Sequence, residues 1–234
     1  MREAFAFLTV LGRSTTPTPR ALRWFPVVGI AIGGAVGGSW WLLNELFPPT
    51  VAAALTIAVD LALTGMLHFD GLVDSADGLL PHLSRERRLE VMRTPDAGAF
   101  GVGAALVVTI VRVACLASMS PEVLLVAGVW CGARAVVAVA PARVRYARDG
   151  GLATAFIGGG GGGWLPLIAV VPATVVIAVA TGWPALATMA ATIVGVVVVL
   201  AFAHRRIGGF TGDVLGASIL VGETAGLVVA SARW

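Results

Sequence analysis

Three aspartates within eight positions are the residues of this chain best suited to chemistry. They stand in the stretch "HFDGLVDSADGL", which begins at His68, as Asp70, Asp74 and Asp77. On an α-helix, with about 3.6 residues per turn, this spacing places all three carboxylates on one face. Like charges so placed repel each other, whereas Mg²⁺ binds carboxylate oxygens and substrate phosphates together. The spacing therefore predicts a site for one or two Mg²⁺ ions that hold a pyrophosphate. His68 is a candidate general base or a neighbour of the metal site, although a single His at the end of a span more often makes only a hydrogen bond.

A simpler interpretation of the same stretch is a solvated acidic turn, or carboxylates that pair with the arginines of "RERR" at residues 85–88. Acidic residues at the edge of a membrane-spanning segment are uncommon and usually functional. Three of them on one helical face therefore favour the metal site.

A second polar segment, "HRRIGGFTGDVLGASILVGE", begins at His204. Glycines allow a backbone to approach a phosphate closely, and paired arginines can neutralise its charge. Asp213 could join the metal shell. The candidate substrate-binding residues of this segment are Arg205, Arg206, Gly208, Gly209 and Gly212. The alternative is a plain turn whose arginines only orient the chain in the membrane.

The segment "RTPDAGAFG" contributes Arg93 and Asp96, which could also touch a phosphate. A helix start explains the run from Thr94 to Asp96 equally well, because Thr, Pro and Asp are favoured at that position. Both interpretations stay open for this segment.

The elements that must position these residues are membrane helices. Hydrophobic residues make up 58% of the chain, charged residues 12%, and the mean hydropathy is +0.92. Ordinary soluble domains carry roughly 25% charged residues. The 234 residues suffice for about six or seven helices of about 20 residues each. We therefore predict one all-α, polytopic domain over residues 1–234, in contact with a lipid bilayer.

Apolar runs predict where these spans lie. They are residues 24–44, 51–67, 97–119, 123–142, 164–180, 185–203 and 214–230. The first contains several glycines at near-helical spacing, which predicts close packing against another helix. Charged residues inside the spans must face the bundle interior or water. Glu223 is expected to pair with Arg112 or Arg134, whereas Asp60 has no evident partner in the sequence.

The arginines predict the orientation of the chain. Thirteen of them fall on one side of the predicted spans and only Arg233 on the other. Because basic loops stay in the cytoplasm, the N-terminus and the polar segments are predicted there, at the face of a plasma (inner) membrane. The predicted cytoplasmic parts are a leader, 1–23, and loops 68–96, 143–163 and 204–213. The glycine run at 158–163 indicates a flexible linker.

Composition also excludes several classes of protein. All 16 lysine-or-arginine positions are arginine, which excludes a P-loop lysine and a lysine Schiff base. The net charge of +3 is what basic membrane loops produce, so no nucleic-acid partner is expected. Cys115 and Cys131 lack the paired spacing of a zinc or disulfide site.

Four segments, in this order, resemble the cobalamin synthase (adenosylcobinamide-GDP ribazoletransferase) family: "HFDGLVDSADGL", "RRLEVMRTPDAGAFG", "YARDGGL" and "GGFTGDVLGASILVGE". The resemblance covers essentially the whole chain, from the N-terminal "FLTVLGR" to the last span. It implies a Mg²⁺-dependent membrane transferase that acts late in cobalamin synthesis. In that family a hydroxyl of α-ribazole, or of its 5′-phosphate, attacks the cobinamide-side phosphorus of adenosylcobinamide-GDP, and GMP leaves.

The resemblance also implies roles for particular residues. It matches Asp70, Asp74 and Asp77 to the metal motif of the family, with Asp213 as a second acidic contributor. The catalytic candidates are then His68, Asp74 and Asp213. Thr94 stands directly after Met-Arg, where many members have Asp, so the role of Asp96 is open. The six-glycine run replaces the usual polar loop of the family.

Three other classes of membrane protein fit the sequence less well. The D-G-x-x-A-R pattern of CDP-alcohol phosphotransferases fails at Asp74, and aromatic prenyltransferases carry two Asp-rich motifs, whereas this chain has one compact cluster. An ion-coupled transporter would line a path with Asp60, Arg112, Arg134 and Glu223, but the sequence shows no internal repeat. Homo-oligomerisation is left open by the sequence.

Overall fold

A computed structural model describes residues 1–12, 16–157 and 163–234, which fold as helices joined by short turns. The α-helices of these residues are Arg2–Leu8 (α1), Phe25–Leu46 (α2), Pro49–Leu63 (α3), Leu67–Leu79 (α4), Arg85–Val91 (α5), Ala99–Ser118 (α6), Val123–Val137 (α7), Ala140–Arg143 (α8), Val170–Thr181 (α9), Pro184–Ile207 (α10) and Gly212–Ala230 (α11). Short 3-10 helices occupy Pro19–Trp24, Leu152–Phe156 and Leu165–Ala169. The predicted glycine linker, except for Gly163, lies outside the described residues.

Five helical stretches in the described part of the chain are long and apolar enough to cross a membrane. They are Pro19–Leu46, Ala99–Ser118, Val123–Arg143, Pro184–Ile207 and Gly212–Ala230. Helices α3 and α4 add a sixth only if the two are taken as one span bent by 92°, and Leu165–Thr181 is shorter than the others. The predicted all-α, polytopic bundle is confirmed, with five or six candidate spans rather than six or seven.

Helix α4 is the main departure from the predicted loop at 68–96. The chain turns sharply after α3 because Gly65 and Met66 both adopt left-handed backbone conformations, with φ of 58° and 59°. The chain then forms α4, which packs against α6 and α11, and next α5. The segment expected to be a loop therefore builds one end of the bundle.

Glycines set the contact between α4 and α11. A Cβ atom on Gly71 would lie 2.7 Å from the backbone oxygen of Asp213, and one on Gly216 would lie 3.2 Å from the Cα of His68. The space beside two glycines of α4 is filled by protein atoms, from α11 at Gly71 and from Met92 at Gly78, so neither glycine leaves room for a ligand.

The predicted leader, 1–23, is part of the bundle. Ala4 and Leu8 are buried, and the ring of Phe7 packs against those of Phe25 and Phe156. Apolar side chains of α1 thus extend the core of the bundle at the end where α4 and α11 meet.

The four charged residues within the predicted spans form one buried network. Arg112 donates from Nη2 to Oδ2 of Asp60 at 2.7 Å, and from Nη1 to Oε2 of Glu223 at 3.2 Å. Arg134 donates to the other oxygen of Glu223. The pairing expected for Glu223 is confirmed with both arginines. Asp60 does have partners, since Trp130 also donates its Nε1–H to it at 3.3 Å.

This network connects α3, α6, α7 and α11 with two charges of each sign. Its side chains are at most 7% exposed, so each charge is neutralised by protein instead of water. Such mutual pairing is what buried charges require in an apolar medium. It gives no support to the transport path in which these residues would line an open channel.

We predict that Arg112→Met destabilises the protein strongly. Methionine fills similar space but removes a cation from two buried carboxylates, and breaking a buried ion pair in this way costs about 3–5 kcal/mol. The midpoint of thermal unfolding in detergent should fall by about 10 °C. Arg205→Met, at an exposed position on α10, is the matched control and should shift it little. Equal midpoints for both variants would contradict the role of the network.

Candidate functional site

A cavity of about 310 Å³ lies where α1, α4 and α11 meet the chain segment that follows α8. Its polar lining is His68, Asp70, Arg148 and Asp213. Its apolar side chains are Phe7, Leu8, Phe25, Leu67, Val137, Ala153, Leu215 and Ile219. Three glycines, of which Gly212 was predicted to bind substrate, complete the wall. The structure thus brings together residues predicted from two segments that lie more than a hundred positions apart.

Asp213 lies in the first turn of α11. Thr211 caps this helix, since its Oγ1 accepts the N–H of Val214 at 3.3 Å and donates to Oδ2 of Asp213 at 3.2 Å. The same oxygen accepts from Nη2 of Arg148 at 2.8 Å. A carboxylate is favoured here because the helix dipole is positive at its N-terminus.

Arg148 is a site residue that sequence reasoning did not single out. Burial alone would lower the pKa of its guanidinium, but the Asp213 carboxylate and Tyr146 outweigh it, and the pKa is raised. Arg148 therefore stays charged beside Asp213. The available signal was its place in the segment "YARDGGL", which the family resemblance included.

The carboxylates of Asp70 and Asp74 are not bonded to other groups in the part of the chain that the structure describes. Asp70 is exposed and Asp74 half-buried, and the charges of Asp213, Asp70 and Asp77 all act on Asp74. Neither side chain makes a hydrogen bond or ion pair within the described residues. Hard oxygen donors of this kind are the ligands that Mg²⁺ prefers.

The predicted three-aspartate metal group is not assembled as such. In the ranges that the structure describes, no three or more His, Cys, Asp or Glu side chains are grouped closely enough to hold a metal ion. Mg²⁺ commonly takes one or two carboxylates and completes its shell with water and substrate phosphates. Asp70 and Asp74 would supply the one or two carboxylates that such a magnesium site needs from the protein.

Asp77 is engaged elsewhere. Its Oδ2 accepts the backbone N–H of Gly98 at 2.7 Å, and its Oδ1 accepts that of Gly101 at 2.8 Å. These groups lie at the N-terminus of α6, where backbone N–H groups lack partners within the helix. Asp77 therefore caps α6, and its predicted role as a metal ligand stays a prediction.

The arginines of "RERR" do not pair with the aspartates in the structure. Arg88 is buried and donates from Nη1 to the carbonyls of Gly78 and Leu79, both at 2.8 Å. Arg85 donates to the carbonyls of Ile207 and Ala147 at 2.9 and 3.0 Å. The simpler interpretation, in which these arginines form ion pairs with the aspartates of α4, is therefore wrong for Arg85 and Arg88. The two side chains instead hydrogen-bond to backbone carbonyls at the ends of α4 and α10 and in the segment after α8.

His68 is only 5% exposed and lines the cavity. Its Nε2 atom is buried and has no hydrogen-bond partner among the described residues. Because Gly216 allows α11 to lie directly against the backbone of His68, the ring is held at the helix contact. A ligand group in the cavity could supply the missing partner.

Most of the other predicted phosphate contacts lie away from this cavity. Arg205 is exposed, and Arg206 packs its guanidinium 5.0 Å from the ring centroid of Phe202. Arg93 donates to the carbonyl of Asp149 at 3.4 Å, and Asp96 is exposed. These four residues do not line the wall described above.

Gly208 and Gly209 have structural reasons to be glycine. Gly208 ends α10 in the left-handed conformation, with φ of 75°, and a Cβ atom on Gly209 would clash with the Arg145 carbonyl. That contact lets Phe210 pair with the segment 145–147 through two backbone hydrogen bonds of 2.9 Å. The pairing places Arg148 beside Asp213.

A wider and more polar groove of about 600 Å³ lies next to the cavity. Its charged lining is Arg85, Glu86, Glu90, Arg93, Arg145, Arg148 and Asp149. Arg148 is common to the two spaces, so its guanidinium stands where they adjoin.

Comparison with known proteins places the chain among close relatives. It is 37% identical over 233 residues to the adenosylcobinamide-GDP ribazoletransferase of Chlorobaculum tepidum, covering 93% of this chain and 88% of the relative. The enzyme of that name from Deinococcus radiodurans is 39% identical over 228 residues, 94% of this chain and 81% of the relative. The enzyme of that name from Escherichia coli O17:K52:H18 is 31% identical over 208 residues, which cover 87% of this chain and 84% of the relative.

No solved structure matches the chain. The family model described as CobS, cobalamin-5-phosphate synthase, matches residues 1–231. Together with relatives at these identities over most of their length, this match shows that the chain belongs to the cobalamin-5-phosphate synthase family.

Proposed function

We propose that this chain is a Mg²⁺-dependent membrane transferase that joins adenosylcobinamide-GDP to α-ribazole, or to its 5′-phosphate. The products are adenosylcobalamin, or its 5′-phosphate, and GMP. The names of the relatives support the reaction. The observation that carries it in the structure is the meeting of His68, Asp70, Asp213 and Arg148 at one cavity.

The reaction is a phosphoryl transfer between two oxygens. The acceptor hydroxyl oxygen forms a bond to the phosphorus next to the cobinamide, and the bond from that phosphorus to the oxygen of GMP breaks. The electron pair of the broken bond leaves with GMP, and the hydroxyl proton passes to a base. His68 and Asp213 are the candidate bases because both line the cavity.

Catalysis of such a transfer depends on positioning and on neutralising the charge spread over the phosphoryl oxygens. Arg148 stays protonated at the junction of cavity and groove, where its guanidinium can face a phosphate. Arg93, another predicted phosphate-binding residue, lines the groove. Arg205 and Arg206 line neither space, and Gly208 and Gly209 act on the packing of the loops.

Asp70 and Asp74 are the residues that we propose to hold Mg²⁺, with Asp213 facing them from α11. When bound, Mg²⁺ would neutralise and orient the pyrophosphate of the donor. Asp77 holds the start of α6, which packs against α4 and thereby supports the face that carries the other two aspartates.

The active face is proposed to be cytoplasmic. The cavity lies at the end of the bundle where α1, the segment after α8 and the start of α11 meet. Arginines of α5, of that segment and of the end of α10 are close by in the chain. Retention of basic loops in the cytoplasm then places the reaction on the inner side of a plasma membrane. A corrinoid donor, too large for a 310 Å³ cavity, would approach from that side.

The first test is turnover. Purified protein with adenosylcobinamide-GDP, α-ribazole and Mg²⁺ should yield cobalamin, detected by mass, and GMP. Asp74→Asn keeps the side-chain shape but removes a charge from the metal shell, so GMP release should fall by about two orders of magnitude or more. Glu45→Gln, at the opposite end of the bundle, is the control. Turnover at the wild-type rate by Asp74→Asn would defeat the metal assignment.

The second test separates the metal role from the capping role. Asp77→Asn replaces one of two carboxylate acceptors with an NH₂ group that faces a backbone N–H, a loss of about 1–3 kcal/mol. We expect a lower midpoint of thermal unfolding for Asp77→Asn and an unchanged one for Asp74→Asn. If Asp77→Asn melts like the wild type but requires more Mg²⁺ for half-maximal activity, Asp77 is a ligand.

A further inference from the structure

We propose that the 310 Å³ cavity is the pocket for the acceptor nucleoside. The aromatic base would lie against Phe7 and Phe25, and the ribose hydroxyl would face His68 and Asp213. This inference rests on the proposed function, because a nucleoside acceptor belongs to that reaction. It adds that the cavity binds the acceptor and the adjoining groove binds the donor, and it names the residues that contact the base.

The size of the two spaces separates the substrates. Pockets for small ligands are commonly about 300–1,000 Å³, so a cavity of about 310 Å³ is of the size of one nucleoside. The donor, which carries a corrinoid and a nucleotide, cannot enter it. The adjoining groove of about 600 Å³ is lined by four arginines and three acidic residues, and its excess of cations suits the phosphates of the donor.

The cavity lining includes two aromatic side chains against which a flat aromatic group can pack. Phe7 and Phe25 both line it. Behind them, Phe156 packs edge-on against both rings, with centroids 5.0 and 5.7 Å away. The two lining rings are thus held in place before any ligand binds, which lowers the entropic cost of binding.

One polar residue of the cavity lining has an atom without a partner. His68 lines the cavity, and its buried Nε2 has no hydrogen-bond partner among the described residues, which is unfavourable. In the proposed complex, a rotation of the ring toward the cavity lets a sugar hydroxyl donate to this nitrogen. Asp213 and Arg148 line the same cavity, so that hydroxyl would lie next to the groups assigned to phosphoryl transfer.

The cavity therefore combines the two kinds of lining that a nucleoside requires, aromatic and apolar side chains for the base and polar side chains for the hydroxyls. Ribazole carries a benzimidazole base with two methyl groups. In this arrangement Phe7 of α1 and Leu215 of α11 lie on the side of the base and determine its permitted size. The N-terminal helix is then a specificity element of the enzyme.

The experiment measures binding of α-ribazole alone, by titration calorimetry, to the full chain in detergent. Stacking of a base on an aromatic side chain contributes enough that its loss weakens binding about fivefold or more. We expect that weakening for Phe7→Leu, together with a higher KM for α-ribazole and an unchanged KM for adenosylcobinamide-GDP. Phe100→Leu, at a half-exposed position on α6, is the matched control and should bind like the wild type.

A second variant tests the size of the pocket. Leu215→Phe fills part of the cavity, so it should prefer the riboside of unmethylated benzimidazole, whereas the wild type should prefer the dimethylated one. Wild-type affinity and preference in both variants would overturn the pocket assignment. If Leu215→Phe does not fold, the affinity of Phe7→Leu decides. Failure of the proposed function would look different, since the wild type itself would then make no cobalamin.

Discussion

The contact between α4 and α11 is the constraint on which the candidate site depends. Gly71 lies against the backbone of Asp213, and Gly216 lies against that of His68. Any side chain at either glycine would separate the two helices and move the aspartates of α4 away from Asp213. The geometry of the site therefore depends on the lack of side chains at these glycines as much as on the polar groups. The same helices carry both the proposed metal face and the proposed base.

Deeper in the bundle, ion pairs between buried side chains hold helices together, as apolar packing does elsewhere in the bundle. The network of Asp60, Arg112, Arg134 and Glu223 spans four helices, one of which is α11. In an apolar environment such groups have few alternative partners. Their pairing fixes the rotation of α11, and with it the direction in which Asp213 and the glycine face point.

Much of this arrangement could be predicted from the sequence. Hydropathy identified the long apolar helices to within a few residues, since a span must be apolar and about 20 residues long, but it did not identify α1, α4 or α5. The pairing of Glu223 followed from the cost of an isolated charge. The bend after α3 could not be predicted, because Met66 takes a left-handed conformation that its residue type does not favour. The capping role of Asp77 could not be predicted either, because the N–H groups that it binds lie more than 20 positions away in the sequence.

Arg148 and α1 show a further limit of local patterns. Arg148 reaches Asp213 only because two loops pair through the carbonyl of Arg145, a contact between segments about 65 positions apart. Helix α1 has just seven residues, too few to be distinguished from a leader by periodicity. Both belong to the site through tertiary contacts alone.

The cavity also has a consequence for how the protein folds. Its walls come from α1 and α11, two helices separated in sequence by all the other helices of the bundle. A contact between segments so far apart forms only after the long intervening stretch of chain has been ordered. A state in which the bundle core is packed but α1 is detached therefore has an open, incomplete cavity.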